Sequence, residues 1–304
     1  LKSWKAELLL ALVTLIWGCT FLFTKQGLDD CSPSLYIIIR FSISLIVSFV
    51  FFNRKLLKID RNTIKQGLIL GIMFGCGFVL QTYGLKFTSV SKSAFITGTC
   101  VLLTPFVFWF VERKAIYLWQ KVGVAVASVG LWIFTNPDFN NLNWGDIMTL
   151  GSTFFWAFYI TYMDVFTRSR TRTEETMQLV ATQLTGALPI VLITFLIFDS
   201  NSVFIRPTIN LIVSLLFNGF LASFMATLVH TAIQRYSTPV KAALIFSLEP
   251  LIATAAAYIV INERLLPYEI IGGIILFTGV IVSELGEFSL LLYVKLLKAF
   301  KKID

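Results

Sequence analysis

The chain has 304 residues, 57% of them hydrophobic and 14% charged, with a mean hydropathy of +0.81 and a formal net charge of +8. A soluble domain carries about 25% charged residues, and a soluble core of this size cannot hide so much apolar surface, whereas lipid can cover it. The basic residues lie in short turns between apolar runs, where charge records membrane orientation, so no nucleic-acid partner is expected.

Ten apolar stretches follow one another at 6–24, 34–52, 65–83, 91–111, 118–135, 145–164, 176–197, 209–230, 240–260 and 267–285. Each is near 20 residues, enough at about 1.5 Å per residue to cross a hydrocarbon core of about 30 Å. The first follows Lys2 and Lys5 and begins like a signal peptide. No small-x-small site closes it well and nine more spans follow, so a retained first helix is expected. "NRKLLKIDRN" joins spans two and three, and "TNPDFNNLNW" joins five and six as a predicted loop rich in Asn, Pro and Asp. After the tenth span, "EFSLLLYVKLLKAFKKID" alternates Leu and Phe with Lys295, Lys298, Lys301 and Lys302. This is the pattern of an amphipathic helix on an anionic leaflet, a plain basic tail being the alternative.

The second five spans echo the first at a shift of 149 residues. "KFTSVSKSAF" (Lys86–Phe95) then lies over "RYSTPVKAAL" (Arg235–Leu244), Gly123 over Gly272 and Gly130 over Gly279. An odd number of spans per repeat places the two copies upside down relative to each other, the layout of a secondary transporter. Charge gives the direction. With the N-terminus inside, 19 Lys and Arg fall in cytoplasmic segments, among them Lys5, Arg54, Lys55, Lys58, Arg113, Lys114, Arg168 and Lys241. Lys25, Lys86, Lys92, Arg206 and Arg264 fall outside and Arg40 within a span. The positive-inside rule therefore favours ten spans with both termini cytoplasmic. The expected fold is an all-α integral membrane protein of ten transmembrane helices, in two inverted five-helix repeats around a central cavity. The repeats are set at 1–137 and 144–286, with a basic tail at 287–304.

Charge inside a span is costly unless it meets a partner or a water-filled cavity. Arg40, in "YIIIRFSISL", fits an anionic substrate group or a carboxylate, or a brace within the bundle. Glu249, in "LIFSLEPLIA", precedes Pro250, which leaves the Phe246 carbonyl without its intrahelical donor. A carboxylate there can hold a proton, a cation or an amino group, so Arg40 and Glu249 are candidate coupling or gating groups. The shift aligns Gln81 with His230, the only histidine, which can carry a proton or serve as a hydrogen-bonding interface residue. Trp17 and Trp156 occupy comparable places in spans one and six, with Tyr159 one turn beyond Trp156. With Tyr83 and Trp109 they can line an apolar cavity and stack on a ring, or simply face lipid. Asn218 and Gln183 can orient a solute. Gly67, Gly71 and Gly75 mark a smooth helix face. Gly123, Gly130, Gly272 and Gly279 fit either contact between spans five and ten or a homodimer seam. Cys19, Cys31, Cys76 and Cys100 lack metal-ligand spacing and read as packing groups.

Several of these segments carry a family resemblance. "LIWGCTFLFTKQGL", "RFSISLIVS", "LKFTSVSKSAFITGTCVLLTPFVFWFVERK" and "SLEPLIATAAAYIVINERLLPYEIIGGIILFTGVIV" resemble the EamA-type transporters of the drug/metabolite transporter superfamily over roughly residues 6–285. Glu249, Pro250 and Glu263 match the family's closing pattern. The resemblance implies a basket of ten helices with alternating access and a cavity drawn from spans one, three, four, six, eight and nine. It implies transport of amino acids and other small metabolites or drugs, commonly outward, by proton coupling or facilitated diffusion and without ATP. The expectation is thus a secondary transporter in the cell membrane, most simply a bacterial inner membrane, exporting small metabolites such as amino acids or aromatic solutes. Membrane lipid is its surrounding partner, it is a monomer or homodimer, and no cofactor or metal is called for. The substrate-binding candidates are Trp17, Gln81, Tyr83, Trp109, Trp156, Tyr159, Asn218 and His230. The rivals are an uptake transporter, an integral-membrane enzyme and a non-transporting accessory protein. No catalytic cluster and no filter-like polar ring supports an enzyme or a channel.

Overall fold

Within lipid, a backbone this apolar can satisfy its polar groups only in helices or a closed barrel. The computed structural model, which describes residues 3–52, 59–136, 143–170, 172–261 and 266–300, is all-α. The first half holds α1 (Ser3–Leu28), α2 (Pro33–Phe52), α3 (Arg61–Phe87), α4 (Val90–Gly98), α5 (Cys100–Glu112) and α6 (Leu118–Thr135). The second holds α7 (Trp144–Thr167), α8 (Thr173–Thr194), α9 (Ile209–Leu216), α10 (Thr227–Ile233), α11 (Pro239–Phe246), α12 (Glu249–Ile261) and α13 (Pro267–Phe300). Among the described residues, seven helical stretches are long and apolar enough to cross a membrane: Trp4–Leu28, Pro33–Phe52, Arg61–Phe87, Val90–Glu112, Thr173–Asp199, Ile209–Tyr236 and Pro239–Val260. Leu118–Phe134 and Pro267–Ser283 are shorter apolar helices. The chain is a multi-pass membrane protein.

Three expected continuous spans are interrupted, each for a local reason. Span four breaks at Thr99, between α4 and α5, and span nine breaks at Ser247 and Leu248, between α11 and α12. Thr99 (φ −63°, ψ −8°) and Ser247 (φ −64°, ψ −6°) adopt the same turn. Pro250 lies just beyond the second break, where its missing N–H costs least. Span eight widens into a π-helical stretch, Phe217–Ala226, between α9 and α10. A π-helical stretch shifts the backbone bonding register. Carbonyls there take side-chain donors from elsewhere: the Trp17 indole donates to Ala222 O at 3.1 Å and the Ser44 hydroxyl to Gly219 O at 2.6 Å.

Small residues set the packing. Gly71 in α3 lies so close to α8 that a Cβ would fall 2.4 Å from the Gln183 carbonyl oxygen. The faces of α6 and α13 meet through paired glycines. A Cβ on Gly123 would lie 2.8 Å from the Gly279 carbonyl oxygen, and one on Gly272 2.7 Å from that of Gly130. The pairing of early with late residues means the two helices run in opposite directions, and these four glycines are used within one chain. At the start of α3, Asp60 accepts from the Thr63 hydroxyl at 2.6 Å and its backbone N–H at 2.9 Å. Those bonds hold the Asp60 carboxyl below the usual carboxylate range. Beyond the tenth expected span, α13 continues unbroken to Phe300. Glu263, Arg264, Lys2, Arg54, Lys55, Lys58, Lys301, Lys302 and most of the loop expected between spans five and six lie outside the described residues, as do the side chains of Lys295 and Lys298.

Candidate functional site

The two helix breaks face a cavity lined by residues from both halves of the chain. Its wall is built from matched sets. Thr97, Gly98 and Cys100, around the α4–α5 break, line it, and so do Phe246, Ser247 and Glu249, which stand 149 residues later around the α11–α12 break. From α1 come Trp17, Thr20 and Phe21, and from α7 come Trp156, Tyr159 and Ile160, each 139 residues later. The remaining lining is one-sided: Arg40 from α2, Phe74, Phe78 and Gln81 from α3, and Ala243 from α11.

Aromatic edges lock the wall. Trp156 meets Phe78 edge-on at 5.0 Å and Phe74 at 5.8 Å, and Trp17 packs on Phe246 at 5.1 Å. Gly77 lets Trp156 lie flat against α3, where a Cβ would come within 3.1 Å of the indole. Polar atoms are few. Gln81 donates to Thr97 Oγ1 at 3.1 Å, and the Tyr159 hydroxyl lies 3.4 Å from Gln183 Oε1. The Trp156 indole N–H is buried without an acceptor among the described residues. Arg40, 2% exposed, donates through Nε to Ser223 Oγ at 2.6 Å and rests 4.2 Å above the Phe78 ring. Glu249 is 7% exposed.

Six of the ten candidate residues thus meet at one cavity: Trp17, Arg40, Gln81, Trp156, Tyr159 and Glu249. The other four stand elsewhere. His230 is buried behind Trp17, edge-on at 5.6 Å, with Nε2 2.8 Å from Gln234 Oε1. Asn218 donates to Thr24 Oγ1 at 3.0 Å and to the Tyr36 hydroxyl at 2.5 Å. Tyr83 shares a 2.6 Å hydrogen bond with Ser34. Trp109 is 53% exposed, beneath Arg113. The expected eighth span contributes no described lining residue, whereas the second contributes Arg40. Phe74, Phe78 and Cys100 were not among the sequence candidates. Only Cys100 had a signal, since the 149 shift lays it on Glu249.

An ion pair stands at each end of the bundle. Lys92, in the first turn of α4, donates to Asp146 in the first turn of α7 at 2.6 Å. Lys241, in the first turn of α11, donates to Glu7 near the start of α1 at 3.1 Å. The pairs match: Lys241 follows Lys92 by 149 residues, and Asp146 follows Glu7 by 139. Each joins one half of the chain to the other. The caps repeat as well, Ser89 accepting from Lys92 N at 3.2 Å and Thr238 from Lys241 N at 3.3 Å. At the C-terminal end of α1, Lys25 Nζ donates to Thr88 O at 2.9 Å, beside the start of α4. Glu7 lies 18 residues earlier on the same helix, about 27 Å away at 1.5 Å per residue. The two pairs are therefore at opposite ends.

A membrane bundle with a broken-helix cavity and an ion pair at each end resembles a carrier in its parts. The EamA-like transporter family matches residues 4–136 and again 143–285. The chain belongs to that family. An uncharacterized transporter of Archaeoglobus fulgidus is 31% identical over 284 residues, 93% of this chain and 87% of that one. A probable amino-acid metabolite efflux pump of Escherichia coli is 23% identical, over 93% of this chain and 96% of its own. A crystal structure shares the fold at a TM-score of 0.75 and 14% identity, covering 95% of this chain and 99% of that one. As an EamA-like transporter the chain moves small metabolites across a membrane and is not an enzyme. The twice-matched family region also brackets the residues that meet at the cavity, from Trp17 to Glu249.

Proposed function

We propose that this EamA-like transporter exports amino-acid-like metabolites by alternating access, across a prokaryotic cytoplasmic membrane. Ten spans form two inverted units, 1–137 and 144–286, with both termini and the 287–304 tail on the cytoplasmic side. The observation that carries this reading is the cavity wall, supplied as matched sets by both halves and flanked at each end by a matched ion pair. In the cycle, parting of Lys241 from Glu7 admits solute from the cytoplasm, and parting of Lys92 from Asp146 releases it outside. The helix breaks at Thr99 and Ser247 are the bending points. Trp17, Trp156 and Tyr159 hold the apolar body of the solute and Gln81 a polar group. Glu249 is the coupling group: one carboxylate takes a proton or a solute ammonium, not both, so the proton gradient drives exchange. His230 positions Trp17 from behind. Asn218 and Tyr83 brace the Lys92 end, and Trp109 lies against lipid. The efflux activity named for the E. coli relative supports the outward direction.

The test is flux in proteoliposomes holding the full chain, with a panel of radiolabelled amino acids inside or outside and an imposed proton gradient. Exchange of one or more amino acids, accelerated by the gradient, is expected. No movement of any solute in the panel would sink the reading. Single cysteines at 86 and 113 in a cysteine-free background check the topology, and labelling of both from one side overturns it.

A further inference from the structure

The turn between α5 and α6 sets a cation over rings that face lipid. α5 stops at Glu112, and Arg113 closes it in the left-handed conformation (φ 55°, ψ 24°), donating its backbone N–H to Trp109 O at 2.8 Å. That conformation is unfavourable for a residue with a Cβ, and glycine or asparagine is the usual choice there. Here an arginine takes it, and its side chain folds back along the helix. The guanidinium lies 5.1 Å from the centroid of the Trp109 ring and 5.4 Å from that of Phe110. Both rings turn away from the bundle, 53% and 59% exposed, as does Phe106 one turn earlier, at 73%. In a bilayer this stripe of rings meets acyl chains, and the cation at its end stands at headgroup level.

The neighbouring charges leave that cation without a counter-ion. Glu112 accepts from Lys114 Nζ at 2.7 Å and from Arg168, and no carboxylate reaches Arg113 among the described residues. Stacking on aromatic faces holds a guanidinium without using its N–H donors, and those donors match a phosphate through two parallel hydrogen bonds. Arg168 caps the end of α7, the helix that Asp146 begins, so the turn lies at the Lys241–Glu7 end of the bundle. The other repeat has no copy of it: 149 residues on, Tyr258 stands for Trp109 and Asn262 for Arg113.

We propose that this turn binds one anionic phospholipid, its phosphate at the Arg113 guanidinium and an acyl chain along Trp109, Phe110 and Phe106. Basic groups at a membrane surface attract anionic lipid, and the rings beneath this one give the chain a place to lie. Free phosphate offers the same charge but nothing to cover the rings. The site is on the outside of the bundle, so it stands or falls apart from the transport reading of the cavity.

The test is native mass spectrometry of the delipidated full-length protein, titrated in detergent with palmitoyl-oleoyl phosphatidylglycerol or palmitoyl-oleoyl phosphatidylcholine. The two share chains and a phosphate, and only the first carries a net negative charge. The first phosphatidylglycerol is expected to bind at least about fivefold more tightly than the first phosphatidylcholine, the effect of one basic group at an anionic surface. Arg113→Gln should bring the two lipids level. Lys65→Gln, which removes an exposed cation near the start of α3, should keep the preference. Trp109→Ala should weaken both lipids, because the ring supports the guanidinium and touches the chain. Arg113→Gly removes the charge and relieves the left-handed strain. It should melt no lower than the native protein and still lose the preference, which keeps the test open if Arg113→Gln fails to fold. Equal binding of the two lipids by the native protein overturns the proposal, as does a preference that survives in Arg113→Gly. An equal loss in Lys65→Gln overturns it too, since the preference would then belong to the whole basic face. sn-Glycerol 3-phosphate in large excess, a headgroup phosphate without chains, should not displace the bound lipid. Displacement would mean that phosphate alone is held, and the lipid assignment falls.

Discussion

The two walls of the cavity share a backbone and differ in chemistry. α5 and α12 are both 13 residues long and begin 149 residues apart, at Cys100 and Glu249. The thiol lies 3.5 Å from Thr104 Oγ1 on its own helix, while the carboxylate has no protein hydrogen bond among the described residues. Farther along, Gln81 reaches the cavity, whereas the residue aligned with it, His230, is buried behind Trp17. A repeated backbone thus supplies two equal helix breaks, and single substitutions on it give only one of these two helix starts a charge. The bundle ends follow the other rule: a Lys and a carboxylate are kept at both, although the carboxylate is Asp at one and Glu at the other. Symmetry is retained in the backbone breaks and at the bundle ends and abandoned in the side chains that line the cavity.

The sharpest break of that comparison is a paired substitution at the two helix starts. Glu249→Gln is expected to lower gradient-driven exchange in proteoliposomes by more than about tenfold, the effect of losing about 1.4 kcal/mol or more. Cys100→Ala should leave it within about twofold. Equal losses at both positions would mean that the breaks, not the carboxylate, set the rate. Next in size come the ion pairs. In each pair one partner is buried, Asp146 (2% exposed) and Lys241 (7%), and the other is partly exposed, Lys92 (31%) and Glu7 (14%). Lys92→Ala and Lys241→Ala should each release one end, so that a cysteine reporter in the cavity at Thr97 is labelled from opposite sides in the two variants. Labelling from the same side in both would show that the pairs do not act as opposed closures.

Much of this architecture was legible in the sequence. Apolar length gave the helices, and the 149 shift gave the facing glycines and the match of Lys92 with Lys241, but spans four and nine were expected to be continuous and their breaks and caps were not foreseen. The 139 register of α1 against α7 is faint in the sequence. Glu7 with Asp146, Thr14 with Thr153 and Trp17 with Trp156 keep a likeness among generic apolar matches, and Thr20 stands against Tyr159 in the wall itself. The candidates that missed the cavity share a cause: hydropathy locates a residue along its span but not around it. His230 and Gln81 occupy the same register, yet the π-helical stretch at Phe217–Ala226 precedes His230 on its span, and an inserted residue there changes the helical phase. Phe74 and Phe78 were indistinguishable from the other phenylalanines among 29 in the chain.

Packing offers a gentler test of where symmetry is kept. Gly130→Leu in α6 would place a Cβ 2.2 Å from Leu276 N, and Gly272→Leu in α13 would place one 2.1 Å from Phe134 N. Overpacking of this kind costs about 1–3 kcal/mol. Because each glycine sits over the other's helix, the two losses should agree in detergent unfolding, and a large loss from only one would break the reciprocity.

The smallest effect probes the caps that begin α4 and α11. Ser89 and Thr238 each accept the backbone N–H of the lysine three residues on, satisfying one of the free N–H groups of α4 and α11. Replacing either by Ala should cost about 1 kcal/mol. The same cap also fixes the first turn from which Lys92 or Lys241 reaches its carboxylate across the bundle. Ser89→Ala should therefore loosen the Lys92 end and Thr238→Ala the Lys241 end, each raising cysteine labelling at Thr97 from its own side by several-fold less than removal of the lysine. α11 has a second support that α4 lacks, Pro239 in its first turn, whose fixed φ suits that position. The loss at Thr238 should consequently be the smaller of the two, and a larger loss there would mean that the cap, not the proline, holds the start of α11.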